Sequence, residues 1–188
     1  MNERRLRLDF VIALCALLIS TVAAVATVYQ THVIARQFSA TVWPYLSFED
    51  NNSPWSVELD LRNDGLGPAI IRSVGITFDG KPQPSIEAML TAFVAGEPQS
   101  QAAARAAIRA GAKLKITTST PTSGMVIPAN AQHVVVRLDG AALVRYFKPA
   151  VKRVGISLCY CSLTGTCWTQ SFQSRDAEPK AVASCPRG

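Results

Sequence analysis

The residues from Phe10 to Tyr29 are almost wholly apolar, and the run from Phe10 to Ala35 holds no Lys, Arg, Asp or Glu. A helix of about 20 apolar residues crosses a bilayer core of roughly 30 Å. The pattern predicts a transmembrane and juxtamembrane helix over 10–37, spanning the membrane through residues 10–29, after a short N-terminus of residues 1–9. A cleaved signal peptide is the competing reading, with Val11–Ala23 as its apolar region and Ala24-Val25-Ala26 as a small-x-small site. The apolar run continues through Val28 and Tyr29, longer than such a region needs, which favours a retained anchor. Cys15 follows Leu14, where a lipoprotein signal wants a small residue, and reads as an apolar helix residue.

At Ala40 the period changes. Alternation over Ala40–Phe48, through Thr41, Trp43 and Tyr45, predicts a first strand, with Pro44 marking an edge or a bulge. The turn cluster 50–54 leads to Trp55–Arg62, where Trp55, Val57, Leu59 and Leu61 alternate with Ser56, Glu58, Asp60 and Arg62. Asn63-Asp64-Gly65-Leu66-Gly67-Pro68 is a tight connection whose glycines suit positive φ. Further strands are predicted over Ala69–Phe78, Lys113–Thr120, Gln132–Leu138, Val151–Tyr160 and Thr166–Ser174. A helical insertion at 84–111 interrupts them. Ile86, Met89, Leu90 and Phe93 fall at helical spacing behind a Ser85 N-cap, and an Ala-rich second helix ends at Gly111. Ala141–Pro149 predicts one more short helix. Seven short strands with turns between them predict a mainly β fold, an immunoglobulin-like antiparallel β-sandwich over 40–175, followed by a C-terminal tail over 176–188. The inserted helices are expected to cover a sheet edge.

Charge adds orientation. Arg4, Arg5 and Arg7 precede the span, whereas only Arg36 follows it before Arg62. Basic residues stay on the cytoplasmic side, so the N-terminus is expected in the cytoplasm and the β domain in the periplasm of a bacterial inner membrane. From Ala40 onward the chain carries 15 basic and 11 acidic residues, a net +4. That mixed surface points away from nucleic acid.

The exported part has four cysteines, Cys159, Cys161, Cys167 and Cys185. An even number in an oxidising compartment reads as disulfides, with three possible pairings. A hairpin centred on Thr164 places Cys161 opposite Cys167, within bridging range, and leaves Cys159 for Cys185. The alternative is a metal site: Cys159-Tyr160-Cys161 is a C-x-C pair whose thiolates suit Cu(I). In that pair, and in its plan of one span plus an immunoglobulin-like exported domain, the chain resembles the copper chaperones that serve cytochrome oxidase. The resemblance implies Cys159 and Cys161 as ligands, while Cys167 and Cys185 depart from it. No C-x-x-C motif marks a dithiol oxidoreductase.

Val42-Trp43-Pro44-Tyr45-Leu46, Asn63-Asp64-Gly65-Leu66-Gly67-Pro68-Ala69 and Cys159-Tyr160-Cys161-Ser162 with Cys167-Trp168 resemble the motifs of small uncharacterised bacterial proteins with one N-terminal span. The resemblance implies architecture and compartment, and no activity.

Catalytic patterns are missing from the sequence. No serine sits in G-x-S-x-G, Gly65-Leu66-Gly67 precedes a strand rather than a helix, and no cofactor motif stands out. His133 reads as a surface-facing strand residue, His32 as an interfacial one, and Glu49, Asp50 and Asp60 as solvated carboxylates. Trp43, Tyr45 and Trp55 suit either core packing or an aromatic surface for a protein partner. The chain thus reads as a non-enzymatic binding or scaffolding module, with copper handling as the alternative. Mass-spectrometric thiol counting separates them: we expect bridges Cys161–Cys167 and Cys159–Cys185, whereas free Cys159 and Cys161 would favour copper.

Overall fold

The structure is a computed structural model and describes residues 2–111, 113–172 and 178–186. The chain divides after Thr41 into a helix and a β unit that begins at Val42.

Helix α1 (Asn2–Thr41) is continuous over 40 residues. Its Asp9–Ser39 portion is long and apolar enough to cross a membrane. The hydroxyls of Ser20, Thr21 and Thr27 donate to the carbonyls four residues back, at 2.7, 2.8 and 2.9 Å. A polar side chain in a span is thereby satisfied within its own helix.

The β unit holds two antiparallel sheets. The strands are β1 (Leu46–Asn52), β2 (Ser56–Asn63), β3 (Ala69–Phe78), β4 (Lys81–Gln83), β5 (Lys115–Thr118), β6 (Val126–Ile127), β7 (Gln132–Asp139), β8 (Val154–Cys161), β9 (Cys167–Ser171) and β10 (Lys180–Val182). One sheet runs β1-β2-β7-β5; the other runs β10-β9-β8-β3-β4, with β6 also paired to β3. The seven strands read from sequence all have counterparts, and β4, β6 and β10 are additions two or three residues long. Strands that short carry no alternation to read. Of the expected tail and domain end, residues 173–177 and 187–188 lie outside the described residues.

Both sheets feed one core. Leu46, Val57, Leu59, Leu61, Val136 and Leu138 come from the first, and Ile71, Ile76, Phe78, Ile156, Leu158 and Tyr160 from the second. Phe48 and Phe172 meet edge to face at 5.7 Å across the two. Helices α2 (Ile86–Gly96), α3 (Pro98–Arg109) and α4 (Ala141–Ala150) follow the predicted segments closely. The Ser85 side chain caps α2 by accepting from the Ala88 N–H at 3.1 Å. The helices do more than cover an edge: Ile86, Met89 and Phe93 of α2 and Val144 and Phe147 of α4 belong to the core itself. Phe93 lies edge to face with Phe147 at 5.1 Å and with Phe78 at 6.2 Å.

The first strand differs from its prediction. It begins at Leu46, and α1 runs on to Thr41, so Trp43 and Tyr45 precede the strand and Pro44 is neither edge nor bulge. Residues 42–45 are held by the 63–68 connection instead. Leu66 and Gly67 donate N–H bonds to the Trp43 carbonyl at 2.9 and 3.2 Å, and Asp64 to that of Tyr45 at 2.8 Å. Neither Gly65 nor Gly67 takes positive φ. They are glycines because of close approach: a Cβ on Gly65 would strike the Trp43 carbonyl, and one on Gly67 the Val42 carbonyl.

Asn63 fastens this junction. It is fully buried. Its Nδ2 donates to the carbonyls of Gly67, Ile127 and Pro128 at 2.9, 3.0 and 3.1 Å, and its Oδ1 accepts from the N–H groups of Tyr45 and Gly65, both at 3.1 Å. Asn63→Ala strands those buried groups, so we expect a loss of about 3 kcal/mol or more in equilibrium unfolding of the detergent-solubilised protein. Asn63→Asp keeps the acceptor but removes the donor, and is expected to restore none of that loss.

Candidate functional site

Strand β8 presents two faces. Ile156, Leu158 and Tyr160 point into the core, so by the two-residue period Ser157, Cys159 and Cys161 point outward. Ser157 is exposed, whereas Cys159 and Cys161 are buried. The end of the chain accounts for the difference, because Cys185 is bonded to Cys159, with Sγ atoms 2.01 Å apart. Cys161 is bonded to Cys167 at 2.08 Å. These two sit directly opposite each other in the β8–β9 ladder. The ladder bond next to them, Ser162 N–H to Thr166 carbonyl at 2.8 Å, makes theirs a non-hydrogen-bonded pair, with Cα atoms 4.0 Å apart.

The two bridges touch. Cys161 Sγ lies 3.8 Å from Cys185 Sγ, and the sulfurs of Cys161, Cys167 and Cys185 all fall within 4.8 Å of one another. They line an open cleft of about 580 Å³ together with Arg72 and Ser123. Arg72 reaches it through a β-bulge: Ile71 pairs with Tyr160 and Ser73 with Cys159, leaving Arg72 as the extra residue of β3. Bulges re-aim side chains in this way. The Ser123 hydroxyl donates to the Arg72 carbonyl at 2.9 Å, and Gly124 N–H to that of Ile71 at 2.8 Å, so the 122–125 turn holds the bulge. Sequence reading missed both Arg72 and Ser123. A bulge leaves no mark on an Ile/Val-rich strand whose partner is unknown.

The C-x-C pair offers no thiolate here, since each of its sulfurs is committed to a different bridge. Coordination by Cys159 and Cys161 would require both bridges to be opened. Cys15, the free cysteine among the described residues, lies exposed on α1.

A second surface lies between α2 and β5. β5 closes its sheet, so among the described residues no strand pairs with its outer edge. Leu90 and Val94 of α2 face Ile116 of β5 across an open groove of about 430 Å³. Ile116 is 55 % exposed and Val94 38 %. At one end Glu87 bridges helix and strand, accepting from the hydroxyls of Thr118 at 2.6 Å and Thr120 at 3.1 Å. The Thr118 bond, with the backbone N–H and Ser85 at the helix start, holds the Glu87 carboxyl down at about 2.

The three aromatics do not share one patch. Trp43 packs edge to face on Tyr45 at 5.4 Å and on Trp168 at 6.4 Å. Trp55 is 70 % exposed in the β1–β2 turn, at the other end of β1. Asp60 is not solvated. It is fully buried, and its Oδ2 accepts from Gln132 Nε2 at 2.6 Å. A bulge at Val135 of β7 resets the pairing there. His133 is half-buried rather than surface-facing, and its Nε2 is buried with no hydrogen bond among the described residues. Glu49 pairs with Arg62 at 3.2 Å. Arg153 is gripped by Asp79 and Glu97, which raise its pKa, and it covers the Phe78 ring at 4.7 Å.

No protein-family model, curated protein or solved structure matches the chain.

Tyr160, between the two cysteines, is fully buried on the inner face and stacks on Trp168 at 5.8 Å. Its phenol oxygen accepts from the Leu46 N–H at 3.3 Å. Burial pushes the phenol up to about 12. The folded state therefore holds this proton more tightly than the unfolded chain. The associated stability is complete below pH ~10 and falls as pH rises from about 10 toward 12. Ultraviolet tyrosinate titration is expected to show one late step that Tyr160→Phe lacks.

Proposed function

We propose that the chain is a membrane-anchored, non-enzymatic binding or scaffolding module. In this reading α1 is a retained anchor with its N-terminus in the cytoplasm. The β unit is an immunoglobulin-like sandwich on the periplasmic face of a bacterial inner membrane. Its partner is a protein that lays an extended segment along β5.

The observation that carries this reading is the groove between α2 and β5. An unpaired strand edge offers backbone hydrogen bonds to an added strand, and apolar pockets beside it select the side chains. Leu90, Val94 and Ile116 supply the pocket. Long exposed edges are normally blunted by charge or shortness. The seven-residue edge β1 carries Glu49 and Asp50; β5 is a four-residue edge with a Lys at its start, and its last three residues, Ile116, Thr117 and Thr118, are uncharged. Lys115 at the start of β5, with Lys113 two residues before it, favours acidic residues in the partner segment. Copper handling needs thiolates that the bridges consume, whereas binding at β5 leaves the cysteines as they are.

A photo-crosslinking residue placed at Ile116 in intact cells tests the proposal, with one at Leu163 in the β8–β9 turn as the control. The Ser119 N–H bond to the Val135 carbonyl turns Thr117 toward β7 and leaves the Thr118 N–H on the outer edge, so a discrete protein adduct at Ile116, absent at Leu163 and lost when Thr118→Pro is added, is the expected result. No adduct at Ile116, or the same adducts at both positions, overturns it.

A further inference from the structure

We propose that the four cysteines form a thiol–disulfide exchange site, at which a protein dithiol reduces one bridge and Cys185 then changes partner from Cys159 to Cys161. The inference does not depend on the β5 groove.

Three observations carry it. The two bridges are neighbours in contact, with Cys161 Sγ 3.8 Å from Cys185 Sγ. Forming a bond there needs a closure to about 2.05 Å, a shift of less than 2 Å. The cysteines open onto a cleft: Cys161, Cys167 and Cys185 all line it, and Cys185 is the more exposed of the cluster. A cation also stands in that cleft. Arg72 is placed there by the bulge opposite Cys159 and Tyr160, and among the described residues no ion pair engages its guanidinium. A positive charge lining the same cleft as Cys161, Cys167 and Cys185 favours the thiolate, which is the attacking and leaving species in exchange.

The chemistry balances in two stages. A thiolate of the dithiol attacks Cys167 Sγ, forming a mixed disulfide and expelling Cys161 as thiolate. The second thiol of the dithiol then resolves that mixed disulfide, so the dithiol leaves as its own disulfide and Cys167 takes a proton as a thiol. Two electrons have passed from the dithiol to the Cys161–Cys167 bridge. In the second stage the Cys161 thiolate attacks Cys185 Sγ, the Cys161–Cys185 bond forms, the Cys159–Cys185 bond breaks, and Cys159 leaves as thiolate and is protonated. This isomerisation consumes no further electrons. The product keeps the chain end tied to β8 and carries thiols at Cys159 and Cys167.

The test uses the full-length protein in detergent, treated with a limiting amount of dithiothreitol as the probe dithiol. Alkylation and non-reducing peptide mapping follow. The two-electron-reduced protein is expected to contain the Cys161–Cys185 bridge, with Cys159 and Cys167 alkylated. A two-electron-reduced protein that keeps Cys159–Cys185, or keeps Cys161–Cys167, overturns the proposal. Cys167→Ser provides a second measurement that needs no reductant. Exchange predicts a mixture of Cys159–Cys185 and Cys161–Cys185 in the purified variant, and Cys159–Cys185 alone counts against it. Arg72→Gln is expected to slow the appearance of the exchanged bridge about three- to tenfold near neutral pH and to move its pH profile upward. An unchanged rate and profile remove Arg72 from the mechanism.

Discussion

The arrangement on which the β unit depends is the buried amide of Asn63. One side chain makes five hydrogen bonds there, all to backbone groups. Those groups belong to three separate stretches of chain: the lead into β1, the connection after β2, and the end of β6 with the residue that follows it. A buried backbone group without a partner costs free energy comparable to a lost hydrogen bond. Tyr45, Gly65, Gly67 and Pro128 lie outside the strands, so no ladder supplies their partners at that point. An amide is the one neutral side-chain group that offers two donor hydrogens and an acceptor together. The glycines at 65 and 67 belong to the same solution, since they let the connection lie directly on residues 42–45. With that junction closed, β1 starts in register at Leu46, whose N–H finds the Tyr160 phenol of the other sheet.

Much of the fold was legible because it is written in period. Leu59 and Leu61 alternate into the core as the pattern says, and Ile86, Met89 and Phe93 do so at helical spacing. The errors fall where alternation is produced by something other than a strand. Trp43 and Tyr45 are two apart, yet they are held by loop-to-loop hydrogen bonds and an aromatic contact with Trp168. Asp60 sits at a polar position of a strand but is buried, because β7 bulges beside it and Gln132 supplies a donor. Trp55 continues the phase of Val57, yet the chain is already turning there, with the Ser53 hydroxyl accepting from the Trp55 and Ser56 N–H groups. A period describes one strand; burial depends on what the neighbouring chain does.

The sulfur cluster was legible in part for the same reason. Facing of Cys161 and Cys167 follows from a hairpin of known centre, and Cys185 then has one partner left. What the sequence does not carry is contact between the bridges, or the presence of Arg72 beside them. The first depends on where Cys185 meets β8, and the second on β3 having one residue more than β8 across the bulge. The β5 groove is likewise invisible, since it needs an edge strand and a helix from either side of an insertion to be brought together. Thr118 and Thr120 reaching Glu87 is a pairing over about thirty residues that no local pattern encodes.

The two faces of β8 divide the labour of the domain. The inner face is committed to packing: Ile156, Leu158 and Tyr160 are each at most 2 % exposed and touch both sheets. The outer face is tied by the two disulfides to β9 and to Cys185, and by the Ser157 hydroxyl to the Gly75 carbonyl at 3.4 Å. Interiors are close-packed and respond to the loss of a single methylene, so a change of partner on the inner face would unsettle the whole core. A change of partner between Cys159 and Cys161 leaves the phase of β8 untouched, because both lie on the same face two residues apart. The chain end moves along the strand while Leu158 and Tyr160 stay where they are. That separation is what the proposed exchange requires: the outer face of β8 changes its bridges while its inner face keeps the fold.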